Sequence, residues 1–359
     1  MSGAMDKLYF FDLELDQLKD YFRSIGEPAY RADQLWSAIY MHFAADPDQV
    51  SSLPKALRSR LIQDIDFSHL KAIERLVSTD GETIKTLFDL PGGARIETVL
   101  MHYDVRETLC ISSQAGCAMG CVFCATGQLG FHRNLSTGEI VEQVVIYARE
   151  LATLDRTVTN VVVMGMGEPF HNYDAVMAAI KRLNDPKCMN MGARRFTIST
   201  VGIVPMIKRF AAEKSQVNLA VSLHAANDTL RNKLIPANRK YPLPELIPAC
   251  RDYVEQTGRR ISFEWALING INDSAENARE LTALIKGMIC HVNIIPLNPT
   301  PIYPGAPTTP ERAQEFKRTL EESGITCTIR VRRGIDIKAG CGQLAARHAI
   351  VSDENQRVI

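Results

Sequence analysis

Thr108-Leu-Cys-Ile-Ser-Ser-Gln-Ala-Gly-Cys117-Ala-Met-Gly-Cys121-Val-Phe-Cys124 is the stretch on which the reading of the chain turns. It opens as a strand and breaks into a loop where three cysteines fall within eight residues, spaced C-x₃-C-x₂-C, with Gly116, Gly120 and Gly127 around them. Thiolates select soft metals and iron–sulfur clusters. A structural zinc closes with four ligands, and a cubane cluster normally takes four cysteines. Three clustered ligands with no fourth close by point to a cubane with one iron left open, where a substrate or cofactor can bind. The spacing indicates chemistry more than a staple.

Outward from this loop, strands and helices alternate. Ser136-Thr-Gly-Glu139 has capping-box spacing, and Ile140, Val141, Val144, Val145, Ala148 and Leu151 follow on one helical face. Strands are expected at Thr108–Ser113, Thr159–Met164, Arg195–Thr200, Val217–Leu223, Ile261–Leu267 and Val292–Leu297. Helices such as Asp174–Leu183, Pro244–Gln256 and Ser274–Lys286 lie between them. Six strands with crossover helices imply a parallel sheet, and six units rather than eight imply an incomplete barrel. Pro296–Pro310 reads as the one long loop. Ahead of the barrel, Asp16–Arg23, Tyr30–Phe43 and Lys55–Ile65 have helical spacing, the last opened by Pro54. Ile73–Ser78, Thr83–Leu90 and Arg95–Tyr103 read as strands joined by Asp80-Gly81 and Pro91-Gly92-Gly93 turns. The expected organisation is a helical accessory domain (1–70), a β-hairpin extension (71–103) and a core barrel ending in a cysteine loop (104–359).

The chain of 359 residues is 46% hydrophobic and 23% charged, ordinary for a soluble globular protein. No apolar stretch approaches the roughly 18 residues of a membrane span, and the start Met-Ser-Gly-Ala-Met-Asp-Lys lacks a signal-peptide core. Nine scattered cysteines argue against a secreted disulfide framework and for a reducing cytoplasm. With a formal net charge of zero, any RNA binding must come from local patches. Arg330, Arg332, Arg333 and Lys338 are the set expected to touch phosphate.

In parallel α/β folds, ligands gather at the carboxyl ends of the strands. Those ends carry Met164-Gly-Met-Gly167-Glu168-Pro169, Thr197-Ile-Ser199-Thr200-Val-Gly202, Ser222-Leu223-His224, and Pro296-Leu-Asn298-Pro299, with Glu264 just inside its strand. Singly, each is more simply a turn or a satisfied strand terminus. Together on one rim they suit a polar ligand with an amino acid moiety and a ribose. Cys341, between glycines, is a better nucleophile candidate than a packed cysteine. Cys110 and Cys341 could equally be buried small hydrophobes, as Cys188, Cys250, Cys290 and Cys327 are read to be. Glu97 by itself reads as an exposed strand carboxylate.

The cysteine spacing matches the radical S-adenosylmethionine motif. The stretch from Cys110 through Phe131-His-Arg-Asn-Leu135 closely resembles the RlmN/Cfr family of RNA adenine methyltransferases, as do Met164–Pro169, Thr197–Gly202, Ser222–His224 and Cys341-Gly-Gln-Leu344. The resemblance runs from about Leu15 to Ala346. It implies an α/β fold, a partial (β/α)6 radical-SAM barrel with an N-terminal helical accessory domain and a β-hairpin extension. It implies that Cys117, Cys121 and Cys124 hold a [4Fe–4S] cluster whose open iron chelates S-adenosyl-L-methionine. Gly167, Glu168, Ser199, Ser222, Leu223, His224 and Asn298 match cofactor-binding positions. Cys341 matches the methyl-carrying cysteine, Cys110 the resolving cysteine that forms a disulfide with it, and Glu97 a proposed proton acceptor.

The family chemistry accounts for so much apparatus, because an electron-poor purine carbon cannot attack a methyl sulfonium as an amine would. The implied partners are 23S rRNA, in some cases tRNA, and an external one-electron reductant, with the chain a monomer and no membrane involved. Gly-Glu-Pro, the Trp36-bearing helix and Ile96-Glu97-Thr98-Val99 look more like the C2-methylating branch than the C8-methylating, antibiotic-resistance branch. A third reading is a zinc-stabilised RNA-binding module without catalysis, which leaves Cys110 and Cys341 without a role.

Overall fold

A computed structural model describes residues 7–300, 302–330, 333–337, 340 and 343–345. Cys341, Arg332 and Lys338 lie outside the described residues. Ten strands form the main sheet: β1 (Lys71–Val77), β2 (Thr83–Asp89), β3 (Arg95–Tyr103), β4 (Arg106–Cys110), β5 (Asn160–Val163), β6 (Phe196–Thr200), β7 (Asn218–Ser222), β8 (Ile261–Leu267), β9 (Cys290–Pro296) and β10 (Cys327–Ile329). Each pairs with its neighbour in sequence, so strand order is chain order. β1 to β4 pair antiparallel and β4 to β10 parallel.

Helices α1 (Leu15–Ser24), α2 (Tyr30–Tyr40) and α3 (Lys55–Asp64) precede the sheet. The crossovers are α4 (Thr137–Ala152), α5 (Tyr173–Asn184), α6 (Val204–Ala212), α8 (Leu243–Thr257), α9 (Ala275–Ile285) and α10 (Pro310–Glu322), while α7 (Asp228–Leu234) lies within the β7–β8 connection. These make the expected six strand–helix units of a partial barrel. The short β10 follows them; its Thr326-Cys-Thr-Ile segment is too brief and polar to stand out as a strand in the sequence. The hairpin strands β1–β3 belong to the same sheet as the barrel strands. Both predicted turns are in place, with Gly81, Gly92 and Gly93 at positive φ.

The barrel strands alternate. Val161, Ile198, Leu219, Val221, Phe263 and Val292 are fully buried core residues. Thr108, Thr197, Asn218, Ser262, Glu264 and Asn293 instead line a cavity of about 1080 Å³. Parallel strands covered on both faces usually read as continuous apolar runs; these keep a polar face because it borders a lumen. Among the described residues no helix is long and apolar enough to cross a membrane.

α4 joins the accessory helices to the sheet. Ser136 and Glu139 form the capping box predicted for its start. Towards the sheet, Tyr147 donates to Thr86 Oγ1 at 2.7 Å and Thr98 donates to Gln143 at 2.9 Å. Towards the accessory helices, the buried Glu142 carboxylate accepts from Tyr9, from Ser68 at 2.6 Å and from the His69 N–H at 3.0 Å. Gly138 permits this approach. A Cβ there would lie 2.6 Å from Phe11 C and 2.7 Å from Asp12 N. Gly138→Ala should therefore lever the N-terminal segment off α4 at a cost of about 1–3 kcal/mol, read as a lower urea midpoint. An unchanged midpoint would show that the interface has slack.

Candidate active site

The cysteine loop is closed at its base by a small hairpin, Gln114–Gly116 with Phe131–Asn134. Gly116, at φ +76°, is obligatory, since a Cβ would lie 2.0 Å from Gly130 O. The Cys117 N–H donates to that same carbonyl at 2.7 Å, and the Val122 N–H ties the loop to Leu234 O at 3.1 Å. Cys117 is buried, and Cys121 and Cys124 are half-buried. Burial pushes the Cys117 thiol up to about 12 and raises Cys121 and Cys124 as well, and charge on one thiol of the trio would make ionising Cys117 or Cys121 harder still. Bare thiols here stay protonated; a bound metal is what deprotonates such ligands.

Among the described residues no three His, Cys, Asp or Glu side chains close around a single ion. A cubane asks for less convergence, because its thiolates bind different corners of a cube. Three thiols on a glycine-bearing loop over the strand ends fit a cluster, and the polar rim beside them fits a ligand with charged and hydroxyl groups.

That rim is assembled from successive strand ends. Glu168 is buried and accepts from Val201 N at 2.7 Å and Phe170 N at 2.9 Å, and burial lifts its carboxyl to about 7. Gly167 takes φ +107° with Gln114 packed where a side chain would go. Ser199 and Ser222 place their hydroxyls 3.5 Å apart. Leu223 is wholly buried, with its N–H bound to Glu264 O and its carbonyl to Arg231, so it fixes its neighbours. His224, at φ +58°, accepts from Ala266 N through Nδ1 at 2.8 Å and meets the Phe123 ring edge-on at 4.9 Å. Phe123 stands between Cys121 and Cys124, which sets His224 against the cysteine loop. Below the rim, Glu264 Oε1 accepts from Asn293 at 2.8 Å, while Oε2 is buried with no hydrogen-bond partner among the described residues.

A second pocket of about 190 Å³, sharing Met164 and Arg330 with the lumen cavity, brings together Glu97, Cys110, Met164, Arg330 and Gly340, and Asn298, expected with the cofactor-binding residues, lines it as well. Cys110 partly faces it, yet burial pushes the thiol up to about 11. Glu97, expected as an exposed strand carboxylate, is instead 2% exposed. It binds Lys85 Nζ at 2.7 Å through Oε2 and accepts from Ala345 N at 2.7 Å through Oε1. Of the expected phosphate-binding set, Arg330 and Arg333 line this pocket, and Arg333 pairs with Glu82. Cys341 lies outside the described residues; its neighbour Gly340 lines the pocket.

Of the three cations buried among the described residues, Lys85, Arg182 and Arg231, two stand at the site. Arg231, 1% exposed, donates to Val201 O, Ser222 O and Leu223 O at 2.7–3.1 Å and so knots two strand ends together. Lys85 is fully buried. In sequence each looks like an ordinary surface charge, and no local signal marks either.

Burial and the Arg231 charge depress the His224 imidazole from 6.5 to about 3. The unfolded chain then takes up this proton first, so stability rises with pH between about 3 and 6.5 and is lost as pH falls through that window. The slope for one such group is roughly 1.4 kcal/mol per pH unit. Asparagine tolerates positive φ and keeps an acceptor, so His224→Asn should flatten the fall of the urea midpoint below pH 6.5. Equal slopes would show that His224 does not carry the acid sensitivity.

Residues 9–66 match the ribosomal RNA large subunit methyltransferase N-terminal domain, and residues 111–282 match the Radical SAM superfamily. The chain is 48% identical over 361 residues to the probable dual-specificity RNA methyltransferase RlmN of Chloroflexus aurantiacus, covering 98% of this chain and 96% of that one. It is also 48% identical to dual-specificity RNA methyltransferase RlmN 1 of Myxococcus xanthus, covering 94% of each. The crystal structure of a radical SAM methyltransferase from Sphaerobacter thermophilus superposes with a TM-score of 0.91 at 51% identity, covering 94% of this chain and 98% of that one. Fold, cysteine loop and similarity over nearly the whole length agree: the chain belongs to the RlmN family of the radical SAM superfamily.

Proposed function

We propose that this chain methylates C2 of an adenosine in the peptidyl transferase region of 23S rRNA and, as a second substrate, of tRNA, with Cys341 carrying the methyl group. The observation that carries the reading is the pocket shared by Cys110, Glu97 and Gly340, the residue before Cys341 in sequence, with the Glu97 charge near enough to the three-thiol loop to raise the Cys124 thiol. The relatives named as dual-specificity RNA methyltransferases support both RNA substrates and favour C2 over C8. The chain is taken to work in the cytoplasm as a monomer, organised as residues 1–70, 71–103 and 104–359, and to draw on an external one-electron reductant.

In this reading Cys117, Cys121 and Cys124 hold a [4Fe–4S] cluster, and the rim of Gly167, Glu168, Ser199, Ser222, Leu223 and His224, with Asn298 from the second pocket, holds S-adenosyl-L-methionine. Bound together, these groups supply methyl transfer and one-electron chemistry. The chain's own residues do the rest. Neutral His224 accepts from Ala266 N and so ties the β7 end to β8, while its ring meets Phe123 of the cysteine loop. Glu168, balanced near 7, takes a negative charge readily beside a cationic amino group. The pocket has apolar walls at Val99, Met101, Met164 and Ile295, with room for one unstacked base and not for a paired stem. Glu97 presents a carboxylate there to accept the ring proton. Cys110 lies on the same wall to attack the Cys341 sulfur, releasing methylated RNA and leaving a disulfide for reductant to reopen.

Anaerobic turnover with 23S rRNA and tRNA fragments, followed by nucleoside mass analysis, should yield 2-methyladenosine; 8-methyladenosine alone would overturn the C2 assignment. Cys110→Ala should halt after carbon–carbon bond formation and accumulate a covalent protein–RNA adduct on denaturing gels. Free release of product by that variant would remove Cys110 from the resolving role.

A further inference from the structure

The buried Lys85–Glu97 pair stands where a fold has little reason to put charge. Burying two ions costs several kcal/mol each, and apolar residues of similar size often serve stability as well or better. The pair sits on adjacent antiparallel strands in diagonal register: Lys85 faces Val99, and Glu97 faces Leu87. The same face of β2 and β3 turns Thr83, Glu97, Val99 and Met101 to the 190 Å³ pocket. The opposite face is already occupied by α4 through Thr86 and Thr98.

What the pair holds is the C-terminal segment. Lys85 Nζ donates to Gly340 O at 2.7 Å, and Glu97 Oε1 accepts from Ala345 N at 2.7 Å. These two bonds bracket Cys341 from either side in sequence. Around them, Leu344 and Ala345 pack with Leu87 and Met166 in a small apolar cluster separate from the main core. Further out, Thr79 donates to Asp336 at 2.7 Å through both its backbone and its hydroxyl, and Arg333 donates to His102 O at 3.0 Å. Among the described residues the segment is thus fastened to the extension side of the sheet, with Gln343 also donating to Pro299 O at 2.6 Å, and Lys85 touches both the segment and the pocket carboxylate.

We propose that Lys85 is a positioning residue for the reaction: its ammonium holds Gly340 and Glu97, and Glu97 in turn holds Ala345, so that the two anchors flanking Cys341 in sequence keep one spacing at the pocket. This rests on the reading of Cys341 as the methyl carrier. Lys85 acts through Glu97, whose carboxylate it binds, and through Gly340.

The test is hydrogen exchange by mass spectrometry on purified holoenzyme, with methylation of Cys341 measured by peptide mass. Lys85→Met should speed exchange in the peptide containing Ala345 by about tenfold or more, leave barrel peptides unchanged, and lower both Cys341 methylation and kcat with little change in KM for RNA. Lys85→Arg, which keeps a buried cation, should restore much of both. If Lys85→Met does not fold, Lys85→Gln, a neutral donor, carries the same test. Unchanged exchange at Ala345 in a folded Met or Gln variant overturns the proposal, as does failure of Arg to outperform Gln. If exchange rises but wild-type Cys341 never carries a methyl group, the positioning stands and the methyl-carrier reading falls.

Discussion

Strand β4 is the constraint on which the remainder depends. It pairs antiparallel with β3 on one side, setting Cys110 opposite Val99, and parallel with β5 on the other, setting Cys110 opposite Val162. One five-residue strand thus makes the extension and the barrel a single hydrogen-bonded sheet. Loss of that pairing would part the wall carrying Glu97 from the wall carrying Met164, and the pocket between them would cease to exist. It also aims the chain at the cysteine loop, since Ile111–Ser113 lead directly from β4 into the small hairpin at the loop's base.

Around this strand the molecule places its polar groups unevenly. Apolar side chains cover the helix-facing side of the barrel, while charge and hydrogen-bonding capacity concentrate at the lumen, the rim and the C-terminal segment. Glu168, Arg231, Lys85, Glu97 and Glu264 are all nearly inaccessible to water. Among the described residues, all but one of their carboxylate oxygens accept a hydrogen bond; Glu264 Oε2 is the exception. Buried polar networks of this kind rigidify a site when complete, and a partnerless oxygen in a polar lumen suits a place where a ligand or water completes the set.

The local signals were strong where geometry is local. The capping box at Ser136–Glu139, the Asp80-Gly81 and Pro91-Gly92-Gly93 turns, and the strand–helix alternation from Thr108 onward each depend on residues a few positions apart, and each appears in the fold. The cysteine spacing was equally legible, because a cluster loop must bring its thiols together within one short excursion. Glu97 shows the opposite case. Its strand context suggested an exposed carboxylate, yet Lys85 from the next strand and Ala345 from the far end of the chain both bind it in the interior. β10 went unread because three polar-flanked residues become a strand only when β9 offers an open edge.

The amino-acid order by itself determined the number of strand–helix units, the place of the soft-metal loop and the rim on which polar groups gather, because periodicity and strand-end position follow from backbone geometry alone. Tertiary structure decided which charges are buried together. Lys85 meets Gly340 across 255 positions and Arg231 reaches Val201 across 30. Pairings at such separation arise from the closure of the whole sheet and the return of the chain onto it, and no local pattern encodes that closure.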